Sequence, residues 1–170
     1  IFESNVLPGR VNRLCSSWAK ISATLPSVNQ ALLKRSKKIV KLPFIQESEN
    51  LCQAQARQAY LLKENCLTIL VFGGSQGAKS INREFCGSAK SLLLKKVDFQ
   101  VIHIVGEEKC VENYKQFYKK HRISACVKAF ENNMSQAWIA ADFSISRAGS
   151  MTIAEQIEFG IPGILIPYPY

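Results

Sequence analysis

Two short glycine-containing segments hold the residues of this sequence best suited to chemistry. The first, Gly73-Gly74-Ser75-Gln76-Gly77, stands between an apolar run, Leu67 to Phe72, and a helical pattern beginning near Ala78. Glycines let a backbone turn sharply and approach a ligand closely, and a helix start offers N–H groups and a positive dipole end. Ser75 adds a hydroxyl able to donate to a phosphate oxygen. With strand and helix contexts both in place, the segment reads as an anion site rather than a bare turn. It is not a Walker loop, which needs Lys-Ser/Thr after the last glycine, nor a G-x-G-x-x-G fingerprint.

The second segment runs Ser146-Arg147-Ala148-Gly149-Ser150-Met151-Thr152-Ile153-Ala154-Glu155. Again an apolar strand pattern ends, a glycine turns the chain, and a helix begins. Two readings of Glu155 stay open. Thr152 and Glu155 fit the S/T-x-x-E capping box, in which the acid only satisfies a backbone donor. A carboxylate one turn into such a helix is also placed to accept two hydrogen bonds from a ribose diol. The local pattern alone favours capping.

Other chemistry is missing from the residue types. Asp98 and Asp142 are the only aspartates, so no D-x-D diphosphate–metal motif exists, and no Ser/His/Asp set or acid pair has convincing spacing. The cysteines at 15, 52, 66, 86, 110 and 126 form no C-x-x-C, and His103 and His121 fall at no metal-ligand spacing. Scattered thiols of this kind point to a reducing compartment. His103 lies inside an apolar strand run and reads as a structural residue. The expectation is a binding site without metal, cofactor or visible catalytic base.

The elements that must position these segments follow from periodicity. Val11, Leu14, Cys15, Trp18 and Ile21 predict a helix over 9–20, and Ile39 to Leu42 a short strand closed by Pro43. From Phe44 to Asn50 the pattern lapses, which marks a domain boundary, and a Gln-rich helical stretch then reaches Leu62. From Leu67 onward strands and helices alternate. Strands are expected at 67–72, 99–105, 125–129, 143–146 and 163–166. Helices are expected from 78, with Ile81, Phe85, Ala89 and Leu92 on one face, then around Val111, Tyr114 and Tyr118, at 133–140 and at 151–159. Such alternation with short loops implies an α/β fold with a doubly wound parallel sheet.

Composition narrows the class. The chain has 170 residues, 47% of them apolar, and no stretch near the roughly 20 apolar residues of a membrane span. It opens on Ile1 and stops after Ile-Pro-Tyr-Pro-Tyr, which reads as an internal fragment. Residues 1–66 hold 10 Lys/Arg against 4 Asp/Glu, and residues 67–170 hold 12 against 9. Basic stretches such as Lys34-Arg35-Ser36-Lys37-Lys38 suit an anionic surface, but no RNP, KH or zinc-finger pattern accompanies them, so nucleic acid is not the expected partner.

Several motifs together go beyond generic nucleotide binding. Val71-Phe-Gly-Gly-Ser-Gln-Gly-Ala78 with Ile81-Asn82, then Ile145 to Glu155, Gly160-Ile-Pro162 and Leu165-Ile-Pro-Tyr-Pro169 closely resemble the MurG family of bacterial UDP-N-acetylglucosamine transferases. Phe2-Glu3-Ser4-Asn5, with Pro8-Gly9 and Asn12, is similar to that family's His-Glu-Gln-Asn segment. The resemblance covers nearly the whole chain in order. It implies a GT-B glycosyltransferase fold of two Rossmann-like doubly wound domains. Residues 1–45 would end the acceptor-binding domain, 46–66 would link the two, and 67–170 would form most of the UDP-sugar domain.

Carried over by position, Ser75 would bind the donor phosphate between the loop glycines Gly73, Gly74 and Gly77, with Gly149 serving the second turn. Ser150, Met151, Thr152, Ile153, Ala154 and Glu155 would line diphosphate, sugar and ribose, with Glu155 on the ribose hydroxyls. Uracil would meet main-chain atoms at Glu131, after Phe130, and Asn5 would face the cleft. The base region is expected in upstream loops, so no catalytic residue is assigned and the fragment alone is expected to be inactive. The implied reaction is inverting transfer of N-acetylglucosamine from UDP to the C4 hydroxyl of undecaprenyl-diphosphate-N-acetylmuramoyl-pentapeptide. It implies a peripheral protein on the cytoplasmic face of the bacterial membrane, with UDP-N-acetylglucosamine and lipid I as partners. Departures exist. Phe2 and Ser4 replace His and Gln, and Leu42-Pro43-Phe44-Ile45 replaces an Asn-Pro-x-Arg segment, so Ile45 lacks the usual Arg contact unless Lys41 substitutes. The other readings are a related transferase with another lipid acceptor, and a basic nucleotide- or RNA-binding module.

Overall fold

A computed structural model describes residues 1–5, 7–24, 29–34, 37–39, 51–74 and 78–168. The chain divides into two compact units, Ile1–Gln46 and Glu47–Tyr170.

The first unit contains a parallel sheet in the order β1 (Phe2–Glu3), β2 (Ser22–Thr24), β3 (Lys37–Ile39), with α1 (Arg10–Cys15) between the first two strands. The helix expected over 9–20 therefore stops early. Ser16 and Ser17 turn their hydroxyls onto the carbonyls of Arg13 and Leu14, both at 2.7 Å, the local competition by which serine disfavours a continuing helix. The face marked by Val11, Leu14 and Trp18 is exposed rather than buried. The third strand begins two residues before the expected one. Val40 to Asn50, including Lys41 and Ile45, lie outside the described residues.

The second unit follows the alternation. Helix α2 (Gln53–Ala59) leads to β4 (Leu67–Phe72), α3 (Lys79–Leu94), β5 (Phe99–Ile104), α4 (Glu108–Lys120), β6 (Ser124–Lys128), α5 (Met134–Ala140), β7 (Phe143–Arg147), α6 (Ser150–Glu158) and β8 (Gly163–Ile166). All neighbouring strands are parallel, in the order β6-β5-β4-β7-β8. The α/β fold expected from the alternation is the fold observed.

Strand β4 shows why both faces must be covered. Successive side chains point to opposite sides, so Ile69 and Val71 enter one core while Leu70 and Phe72 enter the other. The first core is closed by Ile81, Phe85 and Ala89 of α3 and by Val111 and Tyr118 of α4. Ala56 and Tyr60 from the α2 segment, with Ala137 and Trp138 of α5, close the second.

Candidate functional site

The strand order identifies one edge of the sheet. From β4 the chain moves outward through β5 and β6, then returns to β7 on the other side of β4. The crossovers after β4 and β7 diverge, which opens a crevice beyond the carboxyl ends of these two strands. The register pairs Phe72 with Ser146, so both glycine segments leave the sheet at the same level, side by side.

Each turn has its own local cause. Gly74 adopts φ +85°, a conformation that penalises any side chain. Ser75 and Gly77 lie outside the described residues, as does Gln76. Gly73 and Gly74 lead toward α3, whose N-cap, Ala78, makes no side-chain capping bond. Gly149 is the N-cap of α6, likewise without a side-chain cap. The helical ladder of α6 starts where Ile153 N donates to Gly149 O at 2.9 Å. Ser150, Met151 and Thr152 thus form the first turn, whose N–H end lies before that ladder, and Ile153, Ala154 and Glu155 form the next.

This geometry removes one of the two readings of Glu155. A capping box needs Thr152 at the N-cap, but the N-cap of α6 is Gly149, three residues earlier, and Thr152 is a buried third helical residue. Glu155 instead accepts a hydrogen bond from Trp138 Nε1 at 3.0 Å. Burial pushes its carboxyl above the usual range, and the indole bond opposes that rise.

Glu131 sits in the turn between β6 and α5 with its side chain turned inward. Its carboxylate accepts from Lys128 Nζ at 2.7 Å, Asn133 N at 2.9 Å and the Tyr60 hydroxyl at 3.1 Å. Burial opposes ionisation, yet these donors hold the carboxyl below its usual range. The neighbouring Phe130 is exposed. The side chain of Glu131 therefore anchors the turn, and any ligand contact there falls to the main chain.

In the first unit, Asn5 belongs to a network centred on the buried Glu3. Asn5 donates to Glu3 Oε1 through N (2.9 Å) and Nδ2 (3.0 Å), while Gly9 N and Asn12 Nδ2 donate to Oε2 at 2.8 and 2.9 Å. Burial alone would raise the Glu3 carboxyl, but these donors outweigh it and keep it below the usual range. The sequence motif around Asn5 is thus a loop ordered by its acid.

Sequence reasoning assigned no role to Arg147. This residue ends β7 and reaches across to α3, donating from Nη2 to Ser80 Oγ at 3.1 Å and from Nη1 to Pro167 O at 2.8 Å. Its guanidinium lies 5.2 Å from the ring of Tyr168, which follows β8. A permanent positive charge is therefore fixed between the two helix starts. A lone arginine carries no such signal in sequence, because its partners lie 67 and 20 residues away.

His103, read as structural, is fully buried in β5. Asn82 of α3 donates from Nδ2 to Val105 O at 3.0 Å, which leaves its Oδ1 to accept from His103 Nε2 at 3.1 Å. The hydroxyl of Tyr118 then donates to His103 Nδ1 at 2.7 Å. Burial lowers the imidazole pKa to about 3, so the ring is neutral. This network ties the first turns of α3 to the sheet.

Asp142 lies at the opposite edge, against a cavity of about 550 Å³ that Gln53, Arg57, Asn65 and Cys66 help to line. It accepts from Arg57, Gln53 and Thr68 N, and does not serve the glycine turns. Among the described residues no cluster of three His, Cys, Asp or Glu side chains suits a metal ion, and no helix is long and apolar enough to cross a membrane.

Comparison with known proteins points in one direction. Residues 68–170 match the family described as the glycosyltransferase family 28 C-terminal domain. The UDP-N-acetylglucosamine--N-acetylmuramyl-(pentapeptide) pyrophosphoryl-undecaprenol N-acetylglucosamine transferase of Protochlamydia amoebophila is 40% identical over 100% of this chain and 45% of its own length. The protein of the same name from Desulforamulus reducens is 35% identical, over 100% of this chain and 47% of its own. The crystal structure of Acinetobacter baumannii MurG superposes with a TM-score of 0.69 at 26% identity, covering 99% of this chain and 46% of that one. The chain spans about half the length of the curated relatives it matches.

Proposed function

The chain belongs to the glycosyltransferase family 28 C-terminal domain family, and on that premise we propose that it is the donor-binding part of a lipid-linked sugar transferase. The reaction is inverting transfer of N-acetylglucosamine from UDP-N-acetylglucosamine to the C4 hydroxyl of undecaprenyl-diphosphate-N-acetylmuramoyl-pentapeptide, converting lipid I to lipid II in peptidoglycan synthesis. The single observation that carries this reading is the side-by-side placement of the two glycine turns beyond β4 and β7, enforced by the Phe72–Ser146 register.

Residues 67–170 then hold the UDP-sugar. The Gly73–Gly77 loop with Ser75 and the start of α3 receive one phosphate. Gly149 and the first turn of α6, from Ser150 to Thr152, receive the other, with Ile153 and Ala154 beside the sugar. Glu155 accepts from the ribose diol, and the main chain at Glu131 meets uracil. As the acceptor hydroxyl attacks the anomeric carbon, the bond to UDP breaks. Charge then grows on the diphosphate, where N–H groups, two helix dipoles and Arg147 stabilise it without rearranging.

Residues 1–45 form the end of the acceptor-binding domain, which carries Asn5, and 46–66 the linker and entry helix. Residues 1–46 contain eight Lys/Arg and one acid, Glu3, which is buried. That balance supports a peripheral position on the anionic cytoplasmic face of the membrane, where the lipid acceptor resides.

Calorimetric titration of the intact protein with UDP tests the reading. Ser75→Ala should weaken binding by about 1–2 kcal/mol, the loss of one hydrogen bond to a charged oxygen. Salt-sensitive binding of RNA in place of UDP would overturn it in favour of a basic binding module.

A further inference from the structure

Trp138 has no solvent exposure, yet its one polar atom meets a side chain of the neighbouring helix: Nε1 donates to Glu155 Oε2 at 3.0 Å. The ring has little freedom. It meets Phe72 edge to face, with centroids 5.6 Å apart and planes at 86°, and stacks on Phe159 at 6.4 Å and 8°. Phe72 is the last residue of β4, directly before the first glycine turn, and Phe159 is the C-cap of α6. The direction of the indole N–H is thus set by the elements that carry both turns. A glutamate on a helix otherwise samples several rotamers, and ordering one of them costs entropy at the moment of binding. One bond from a locked ring removes most of that freedom beforehand.

We propose that Trp138 is a positioning residue for Glu155: its N–H holds Oε2 and leaves Oε1 to accept from a vicinal diol. This rests on the reading of Glu155 as the ribose acceptor. The same bond favours the charged form of the acceptor. Burial raises the Glu155 carboxyl, the indole N–H opposes the rise, and among the described residues no ionised side chain from α5, α6 or the strands beneath them enters that balance. Binding through the carboxylate weakens as pH falls through its pKa. Removing the N–H raises that pKa further and moves the loss to higher pH.

Trp138→Phe in the intact protein keeps a ring against Phe72 and Phe159 and deletes the donor. UDP affinity is measured by calorimetry between about pH 5 and 8 for the unmutated protein, Trp138→Phe, Glu155→Gln and the double variant. Trp138→Phe should bind UDP roughly 3- to 10-fold more weakly near neutral pH, with its affinity falling off at a higher pH. In the Glu155→Gln background it should change nothing. All four proteins should bind 2′,3′-dideoxy-UDP equally.

Unchanged UDP binding by Trp138→Phe, alongside a loss in Glu155→Gln, overturns the positioning role and leaves the ribose reading standing. An equal loss of dideoxy-UDP affinity in Trp138→Phe shows only packing damage and overturns it as well. UDP affinity unaltered in Glu155→Gln removes the ribose reading, and this inference with it. Should Trp138→Phe fail to fold, the Trp138 indole N–H resonance of the unmutated protein decides the matter. It should titrate with Glu155 and shift on adding UDP but not dideoxy-UDP, and a resonance that does neither overturns the proposal.

Discussion

Arg57 and Asp142 meet at 2.6 Å, a guanidinium with 5% side-chain exposure against a carboxylate with 34%, and join α2 to the start of β7. Arg57 also donates to Ala140 O at 2.9 Å and to Glu64 O, while Asp142 caps the strand edge by accepting from Thr68 N at 2.8 Å. The pair therefore pins the entry helix beneath the sheet, far from the glycine turns. Asp142→Ala would strand a buried cation. It should destabilise the protein by about 2–3 kcal/mol, less than for two fully buried charges because a third of Asp142 reaches solvent. Asp142→Asn, which keeps an acceptor, should cost less. Urea denaturation midpoints check both.

The His103 network makes stability pH-dependent in a defined direction. The folded imidazole has its pKa lowered to about 3 by burial, whereas the unfolded ring titrates near its ordinary value of about 6.5. Below that value the unfolded chain binds a proton that the folded one refuses. Stability contributed by this residue is complete above about pH 6.5 and declines as pH falls toward 3, by roughly 1.4 kcal/mol per unit. His103→Gln should flatten the dependence of thermal midpoint on pH between about 4 and 6.

Gly163 opens β8 directly against β7. A methyl group there would lie 2.2 Å from Ser144 Oγ and 2.5 Å from Ser144 O. The side-chain clash can be relieved, but the backbone one cannot. Gly163→Ala should therefore destabilise by about 1–3 kcal/mol, and adding Ser144→Ala should restore only part of it. Thermal unfolding of the two variants checks this.

Arg147 tests the geometry of the crevice rather than its charge. Lys keeps the charge but loses the fork that reaches Ser80 Oγ and Pro167 O together. Arg147→Lys should weaken UDP binding by about 1 kcal/mol and Arg147→Ala by about 2, measured by calorimetry. Equal affinity of Arg147→Lys and the unmutated protein would remove Arg147 from the site.

The elements from Leu67 onward were legible because each carries its own signal. The apolar run of β4, the Ile81–Phe85–Ala89 face of α3 and the glycines after β4 and β7 are properties of neighbouring residues, readable without a partner. The first unit was less legible, since β1 and β2 are only two and three residues long and present no period to count. The acid at 155 shows where local reading runs out. Thr152-x-x-Glu155 fits a cap by spacing, but a helix start is decided by the first residue to take helical geometry, and here Gly149 caps three residues earlier. What surrounds Glu155, Arg147 and His103 was decided only by the tertiary structure. The sheet order brings β7 beside β4, and with it Trp138 to Glu155 and Ser80 to Arg147, contacts 17 and 67 residues apart in the chain. Residue type determines which groups can bond. Only the strand order, driven by burying both faces of β4, determines which of them meet.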